Sequence, residues 1–332
     1  MPELPEVESL ARFLAERAAG RRIDRVELVS FAALKTVTPP SALVGRLVSG
    51  CQRRGKFLAL ETRVPEPRTL EPPDVTVAAG PGGGGPEPLP GVPVASGPGG
   101  AGGPRFLALH LARAGWVRWV EPRAGATTDR PAARAAPRSG PLALRVRFAG
   151  GAGFDVTEAG TQKRLAVYVV DSLEDVEGIA RLGIDPLDPS FTPRRLRELL
   201  AGRAGQLKHV LSDQSVIAGI GNAYSDEALH AARFSPFKPA GNLTGDEVDR
   251  LHAAVVGVLR DALARSAGRP ADELKDEKRA GMRVHGRTGL PCPVCGDTVR
   301  EVAFADRSLQ YCPTCQTGGH PLADRRFSRF LK

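Results

Sequence analysis

The sequence predicts a multidomain α+β protein with a strand-rich N-terminal part, a helical middle and a small cysteine-containing module at the C-terminus. Short Val- and Leu-rich segments separated by turns fill the first 170 residues, helical periodicity begins near residue 172, and two CxxC pairs follow. We place the domains at 1–171, 172–280 and 281–332. A chain of 332 residues, 42% hydrophobic and 25% charged, is long enough to bury several cores.

The first element is a helix, because Val7, Leu10 and Leu14 recur at helical spacing after Pro5 and before Gly20. Seven strand-like segments follow it and predict an antiparallel β-sandwich. They are 23–29, 43–51, 56–61, 106–111, 116–120, 142–148 and 165–170.

Two inserts interrupt the predicted sandwich. Residues 65–104 contain 11 Gly and 11 Pro and predict a disordered loop, because such a segment buries too little apolar surface to offset its ordering entropy. Residues 121–140 carry four arginines among Pro and Ala and predict a basic, solvent-exposed loop.

Helices are expected at 173–181, 193–203, 206–212, 223–232 and 245–266. Ser172 with Asp175 and Thr244 with Glu247 have capping-box spacing, and Pro193 is typical of a first helical turn. The apolar stripe of the last helix indicates core packing.

Four of the five cysteines form two CxxC pairs separated by sixteen residues, Cys292/Cys295 and Cys312/Cys315. Four thiolates close a tetrahedral zinc site and leave no position for water, so we expect one structural Zn²⁺ ion and no organic cofactor. Segments 299–304 and 308–311 predict a β-hairpin with Arg307 at its turn. The fifth cysteine, Cys51, is expected to be a buried small hydrophobe.

The formal net charge of +9 favours a polyanionic partner such as nucleic acid. No run approaches eighteen apolar residues and no secretory signal pattern opens the chain, so we expect no membrane partner and a cytoplasmic location.

The N-terminal sequence Met1-Pro2-Glu3 offers a nucleophile. Removal of Met1 leaves Pro2 with a secondary amine, which when neutral attacks an aldehyde-level carbon to give an iminium. The positive end of the first helix favours the neutral amine, and the Glu3 carboxyl can transfer a proton. The alternative is that Glu3 and Glu6 only complement the helix dipole.

Four separated segments point to one family when taken together. They are 1–8 (MPELPEVE), 52–58 (QRRGKFL), 218–224 (AGIGNAY) and the cysteine hairpin with Arg307 five residues before Cys312. In this order they resemble the formamidopyrimidine-DNA glycosylase/endonuclease VIII family of base-excision repair enzymes, over nearly the whole chain apart from the inserts and the tail. A dinucleotide fingerprint is the competing interpretation of 218–224, but its third glycine and preceding strand are missing.

The resemblance implies a catalytic role for each matching residue. Pro2 attacks C1′ of a damaged nucleoside to form a Schiff base, Glu3 is the acid/base that assists sugar-ring opening, and Glu6 orients the N-terminus. Lys56 contacts phosphate and helps β-elimination, and Arg307 grips the phosphates beside the lesion and assists δ-elimination. The alternative for Lys56 is a strand lysine that extends its charge to solvent.

Segment 218–224 matches the turn of the family's helix-two-turn-helix. Gly219 and Gly221 are expected to permit close backbone approach to DNA, and Asn222 to bind a phosphate.

Three positions bear on the choice of lesion: two of them depart from the 8-oxoguanine enzymes and one matches them. Arg113 stands where those enzymes carry a methionine that fills the gap left by the everted nucleotide. Arg164 matches the arginine facing the orphan base, whereas Leu165 replaces a wedge phenylalanine. Segment 275–283 is also short for the loop that caps 8-oxoguanine.

These features together predict a bifunctional DNA glycosylase and abasic-site lyase. The enzyme is expected to excise oxidised bases from damaged double-stranded DNA and to cleave the strand by β,δ-elimination. We expect it to be a monomer associated with the nucleoid. One alternative is an endonuclease VIII-like preference for oxidised pyrimidines or for abasic sites. The other is a non-catalytic, lesion-sensing DNA-binding protein, which requires that Met1 be retained.

Overall fold

The computed structural model describes residues 1–66, 103–122, 140–304 and 308–323. Most of the Gly/Pro-rich insert 65–104, most of the loop 121–140, Arg307 and the C-terminal tail lie outside the described residues. Within the described residues the helices are α1 Leu4–Ala18, α2 Glu177–Ala180, α3 Pro193–Leu200, α4 Leu207–Ser212, α5 Asn222–Ala231, α6 Gly245–Ser266, α7 Leu274–Ala280 and α8 Pro313–Thr317. The strands are β1 Ile23–Leu28, β2 Leu47–Arg54, β3 Phe57–Arg63, β4 Arg105–His110, β5 Gly115–Val120, β6 Leu142–Phe148, β7 Gly153–Glu158, β8 Ala166–Val170, β9 Arg300–Ala303 and β10 Ser308–Tyr311.

Helix α1 confirms the predicted leading helix. Its apolar stripe of Val7, Leu10 and Leu14 is fully buried against the β-sandwich, and each such side chain contributes about 2 kcal/mol relative to exposure. The first turn is set by Glu6, whose carboxylate accepts the backbone N–H of Glu3 at 2.8 Å.

Two four-stranded antiparallel sheets form the predicted sandwich, in the orders β1-β6-β7-β5 and β2-β3-β4-β8. Side chains alternate along β3, so that Leu58 and Leu60 face the core shared with α1 and the other sheet. Phe57 and Ala59 face the opposite side and pack with the segment that follows β8. The second sheet is therefore covered on both faces.

Some predicted boundaries in this region were wrong. Strand β7 was not predicted, since its sequence GFDVTE combines Gly and two acids that strands disfavour. Residues 40–43 form a 3₁₀ turn, so β2 begins at Leu47 rather than at residue 43. The predicted helix 173–181 is a 3₁₀ turn followed by the single turn of α2.

The helical part has its own core, built mainly from α3, α4, α5 and α6. Helix α6 has the predicted bounds and the predicted capping box between Thr244 and Glu247. Helix α5 lies at the centre and contacts α4, α6, α8 and β10. It is thus placed to connect the helical core with the cysteine hairpin, whose strands β9 and β10 confirm the predicted pairing.

The short segment after residue 273 forms helix α7 rather than a loop, and α7 contacts both α1 and α6. Among the described residues, no helix combines the length and apolarity needed to span a bilayer.

Candidate active site and zinc site

The segment that follows the exposed Met1 is buried at the junction of the sandwich and the helical core. Pro2, Glu3 and Leu4 are all buried, and the backbone N–H of Leu4 donates to the carbonyl of Gly219 at 3.0 Å. Gly219 has φ +89°, and a methyl group there would lie 2.8 Å from Leu4 Cβ. The glycine therefore lets the turn before α5 close onto the N-terminus.

The Glu3 carboxylate is held by the start of α5. It accepts backbone N–H groups from Gly221 at 2.6 Å, Ala223 at 3.0 Å and Tyr224 at 3.3 Å. Burial opposes ionisation, but the charges of Lys278 and Lys56 and the α5 N–H groups outweigh it and lower the pKa of Glu3 to about 2. Glu3 is consequently a carboxylate at neutral pH.

Lys56, in the turn between β2 and β3, is 8% exposed and lies beside Glu3. Burial lowers the pKa of Lys56, Glu3 opposes that shift, and Lys278 adds to it. A methyl group on Gly221 would lie 2.6 Å from Glu3 Cδ and 2.8 Å from Lys56 Nζ. Because Gly221 has no side chain, Glu3 and Lys56 can approach the backbone at this position. The sequence predicted that Gly219 and Gly221 let DNA approach the backbone, whereas in the structure both glycines make room for residues of the protein itself.

Glu6 connects three parts of the site. Its carboxylate accepts the Tyr224 hydroxyl at 2.6 Å and the Lys278 ammonium at 2.8 Å, besides the N–H of Glu3. Lys278, on α7, also donates to the carbonyl of Met1 at 3.1 Å and lies 4.7 Å from the centre of the Tyr224 ring. The sequence did not predict either Tyr224 or Lys278 as a site residue.

A cavity of about 500 Å³ opens beside Pro2. Its walls carry basic groups and three large apolar side chains; the lining residues are Met1, Pro2, Glu6, Arg113, Gly115, Trp116, Lys275, Lys278, Arg279, Met282, His285, Gly286 and Arg287. The Trp116 indole N–H donates to the carbonyl of Ala271 at 2.8 Å, which fixes the ring. Such a cavity suits an anionic ligand with a flat apolar part.

His285 is a cavity residue that the sequence did not single out. Its Nδ1 lies 2.8 Å from Oδ2 of Asp226, a fully buried carboxylate that also pairs with Lys208 at 2.6 Å. The backbone N–H of His285 donates to Glu227 at 2.8 Å. Asp226 and Glu227 of α5 thus fix this part of the cavity wall, and no motif spacing signals it because the partners are about 60 residues apart.

Arg113 and Arg164, two of the predicted DNA-contacting residues, lie in neighbouring turns of the sandwich. Arg113, between β4 and β5, lines the cavity and is exposed, as is Arg164, between β7 and β8. These two turns adjoin, since the N–H of Ala159 donates to the carbonyl of Ala114 at 3.1 Å. Leu165, however, is 2% exposed within the sandwich core and does not form a wedge on the surface.

Asn222 begins α5, and its amide donates to the carbonyl of Ser308 in the cysteine hairpin at 2.8 Å. One of its N–H groups therefore holds β10 instead of a ligand. Arg307, the next residue towards the hairpin turn, lies outside the described residues.

The four cysteine sulfurs converge as the spacing predicts. Cys292 Sγ lies 3.9 Å from Cys315 Sγ, and Cys295 Sγ lies 3.3 Å from Cys312 Sγ. Soft thiolates at these separations fit one tetrahedral zinc ion. His230 of α5 is an unpredicted neighbour, with Nε2 3.3 Å from Cys292 Sγ. Among the described residues, the group of donor atoms within 4.8 Å of one another consists of His230, Cys292, Cys312 and Cys315, and Cys295 is not part of it.

The start of α1, the sandwich, α7 and the segment 282–287 before the cysteine hairpin therefore enclose a basic cavity beside the buried Pro2, an arrangement suited to covalent chemistry on a polyanion. Three family models match the chain: the formamidopyrimidine-DNA glycosylase N-terminal domain over residues 1–159, its H2TH domain over 182–272, and the zinc finger found in FPG and IleRS over 289–318.

Individual relatives agree with these matches. The formamidopyrimidine-DNA glycosylase of Symbiobacterium thermophilum is 33% identical over 95% of this chain and 89% of its own. A formamidopyrimidine-DNA glycosylase-like protein of Mycobacterium tuberculosis is 64% identical over 46% of this chain and 94% of its own. The crystal structure of MutM (FPG) from Thermus thermophilus superposes with a TM-score of 0.68 at 27% identity, covering 96% of this chain and 100% of that one.

The chain belongs to the formamidopyrimidine-DNA glycosylase family of DNA repair enzymes. Both the resemblance and the fold class predicted from the sequence are confirmed.

Proposed function

We propose that this protein is a bifunctional DNA glycosylase and abasic-site lyase that acts as a monomer on oxidised bases in double-stranded DNA. The observation that carries the proposal is the buried Pro2 beside an ionised Glu3 and a buried Lys56, at the wall of a basic cavity. We also propose that the domain boundaries lie between residues 171 and 172 and between residues 280 and 281.

The reaction requires that Met1 be removed, because the nitrogen of Pro2 is otherwise an amide without a reactive lone pair. The site favours a neutral amine: burial and then the charge of Lys278 lower the pKa of the chain's terminal amine. After processing, the same burial and charge act on the Pro2 nitrogen. That nitrogen bonds to C1′, the C1′–base bond breaks, and the base leaves with the electron pair and takes up a proton.

Glu3 serves this chemistry as a carboxylate. It takes the proton that the Pro2 nitrogen loses on bonding to C1′ and gives it to O4′ as the sugar ring opens, and its restored negative charge stabilises the iminium that forms. Three N–H groups of the turn and α5 fix the carboxylate, so no reorganisation is needed when positive charge develops. In β,δ-elimination the 3′- and then the 5′-phosphate leaves with its bonding electrons.

The remaining residues bind DNA, assist elimination or maintain the fold. Lys56 contacts phosphate and helps β-elimination, and Asn222 contacts phosphate. Arg113 and Arg164 contact the DNA around the everted nucleotide, and Glu6 orients the N-terminus. Arg307 grips the phosphates beside the lesion and assists δ-elimination. One structural zinc ion, held by Cys292, Cys295, Cys312 and Cys315, keeps the hairpin folded against α5.

The test is borohydride trapping on untagged protein whose N-terminus is established as Pro2 by mass spectrometry. Borohydride reduces the iminium and links the protein covalently to the DNA. Wild type should give an adduct, whereas Pro2→Gly should bind the duplex but give much less, because it replaces the secondary amine of proline with a primary amine. A version with an uncleaved N-terminal extension keeps every residue yet blocks the amine, and it should give none.

Duplexes carrying 8-oxoguanine, formamidopyrimidine, dihydrouracil or an abasic site rank the substrates. Burial of Leu165 and the short helix α7 favour the alternative of an endonuclease VIII-like substrate range. The duplexes with dihydrouracil and with the abasic site test this alternative. Tight DNA binding without an adduct on any duplex would instead establish the non-catalytic alternative.

A further inference from the structure

Arg53 of β2 lies three residues before Lys56, and its side chain is only 6% exposed. The guanidinium contacts three parts of the chain. Nε lies 2.9 Å from Oε2 of Glu8 in α1, Nη2 lies 2.7 Å from Oδ2 of Asp185, and Nη1 donates to the carbonyl of Gly55 at 3.3 Å. One buried cation therefore joins the first helix, the segment 182–185 that follows α2, and the turn that carries the lysine.

The segment after α2 is hydrogen-bonded to the residues that precede α5. The N–H of Ile184 donates to the carbonyl of Val216 at 3.2 Å, and the carbonyl of Ile184 accepts the N–H of Ala218 at 2.9 Å. Ala218 is followed directly by the turn from which Gly221 donates to the Glu3 carboxylate. The ion pair between the arginine and this segment thus reaches the backbone that fixes Glu3.

The turn between β2 and β3 packs against the same backbone. Gly55 has φ +56°, and a methyl group there would lie 3.0 Å from the Leu182 side chain and 3.6 Å from Ala218 Cβ. Lys56 follows Gly55 and is buried beside Glu3. The guanidinium therefore holds the turn that carries the lysine against the residues that hold the carboxylate.

The partners of Arg53 depend on it unequally. Glu8 keeps a second partner, Arg12 at 2.9 Å, and Asp185 still accepts the N–H of Leu187 at 2.9 Å. The two carboxylates are 20% and 31% exposed, so removal of the arginine leaves no fully buried unpaired charge. Helix α1 also keeps its buried apolar stripe. Loss of the guanidinium should consequently affect the β2–β3 turn most.

We propose that Arg53 is a positioning residue that sets Lys56 against Glu3 for β-elimination, an inference that rests on the proposed function. The buried guanidinium acts through Lys56. In the proposed reaction Pro2 and Glu3 form the iminium, and Lys56 then helps the 3′-phosphate to leave. Displacement of Lys56 slows the second step and leaves the first step nearly unchanged.

The test compares two assays on a duplex with an abasic site, at saturating protein that begins at Pro2. Borohydride trapping measures iminium formation, and strand cleavage without borohydride measures elimination. Arg53→Met should keep trapping within about twofold of wild type and lower the cleavage rate about 10- to 100-fold, as expected for a misplaced catalytic group. Arg53→Lys keeps the charge without the guanidinium fork and should recover part of the cleavage. Arg12→Met, at the exposed partner of the same Glu8 carboxylate, is the matched control and should behave as wild type.

A double-variant cycle shows through which residue Arg53 acts. Lys56→Met should lower cleavage by itself, and addition of Arg53→Met should lower it by less than about twofold more, because no lysine is left to position. Losses that multiply in the double variant would overturn the proposal. Equal losses of trapping and cleavage in Arg53→Met would also overturn it, because a general disturbance of the fold has that effect.

Asp185→Asn tests the same inference if Arg53→Met fails to fold. It keeps the shape of the side chain and the acceptor for the N–H of Leu187, and it loses the charge that faces the guanidinium. Cleavage should again fall more than trapping. Normal cleavage in a folded Arg53→Met or in Asp185→Asn would overturn the role of Arg53 alone, whereas no adduct in wild type would contradict the proposed function itself.

Discussion

Gly221 lies where the turn before α5 passes between Glu3 and Lys56. Its backbone is extended, with φ −129° and ψ −152°, so alanine is conformationally acceptable there. The difficulty is space, since a methyl group would lie 2.6 Å from Glu3 Cδ and 2.8 Å from Lys56 Nζ. This glycine is required by the charged pair that it contacts.

We expect Gly221→Ala to destabilise the protein by about 1–3 kcal/mol, as overpacking does, and to displace Glu3 from the N–H groups that hold it. Borohydride trapping should fall accordingly. Gly257→Ala is the matched control, because Gly257 is inside α6 with open space around it and alanine there should stabilise by about 0.5–1 kcal/mol. Urea unfolding measures both changes, and similar effects of the two substitutions would contradict this account.

The sequence predicted candidate site residues where a short motif contains the reactive or metal-binding groups themselves. Pro2, Glu3 and the four cysteines were predicted from short local patterns. In the structure Pro2 lines the cavity, backbone N–H groups hold the Glu3 carboxylate, and the cysteine sulfurs lie in pairs 3.3 and 3.9 Å apart. Lys278 and Tyr224 were not predicted, because their importance arises only when α7 and α5 meet the N-terminus. Their contacts with Glu6 join positions more than 200 residues apart.

Among the helices and strands, the sequence predicted the elements whose caps, hydrophobic periodicity and residue preferences all indicate the same type of structure. Helix α6 has a capping box, an apolar stripe and a C-terminal basic residue, and all three point to the same bounds. Strand β7 is the opposite case. Its Asp155 is acceptable in a central strand only because Arg145 and Arg147 of β6 pair with it, at 3.2 and 2.8 Å. Such cross-strand neutralisation cannot be deduced from either strand alone.

Helix α5 binds the cysteine hairpin through one polar stripe. Asn222, Asp226 and His230 are spaced four residues apart, and they contact Ser308, Gln310 and Cys292 respectively. His230 Nδ1 is buried with no hydrogen-bond partner among the described residues. Since a metal-bound histidine almost always donates its other N–H, His230 is better suited to donate Nε2–H to the Cys292 thiolate than to bind zinc.

We expect His230→Leu to weaken zinc binding by about 10- to 100-fold, which is typical for loss of a hydrogen-bond donor to a metal ligand. His230→Gln retains an amide donor and should recover part of the affinity. Competition with a chromophoric chelator measures the affinity, and the exposed His209→Leu in α4 serves as control. Wild-type affinity in His230→Leu would exclude the hydrogen bond from any role in the site.

At the scale of the molecule, the charged cluster at the N-terminus joins the two main cores. Glu3 and Glu6 begin a helix packed on the sandwich, Lys56 belongs to the sandwich, and Lys278 comes from α7. The N–H groups that hold Glu3 belong to the turn before the helical core and to α5. The Glu3 carboxylate therefore carries the charge that we propose for catalysis and also joins the two cores.

The acid dependence of stability should report this dual role. The folded-state pKa of Glu3, about 2, lies below the ordinary value of 4.5, so its contribution is complete well above pH 4.5 and is lost as the pH falls towards 2. Glu3→Gln removes this dependence. The stability advantage of wild type over Glu3→Gln should therefore shrink by about 2 kcal/mol between pH 7 and pH 3, measured by urea unfolding. Protonation of the zinc-binding thiolates lowers the stability of wild type and of Glu3→Gln alike, so it cancels in the stability difference between them. A gap between wild type and Glu3→Gln that does not change with pH would mean that the Glu3 carboxylate does not hold the cores together.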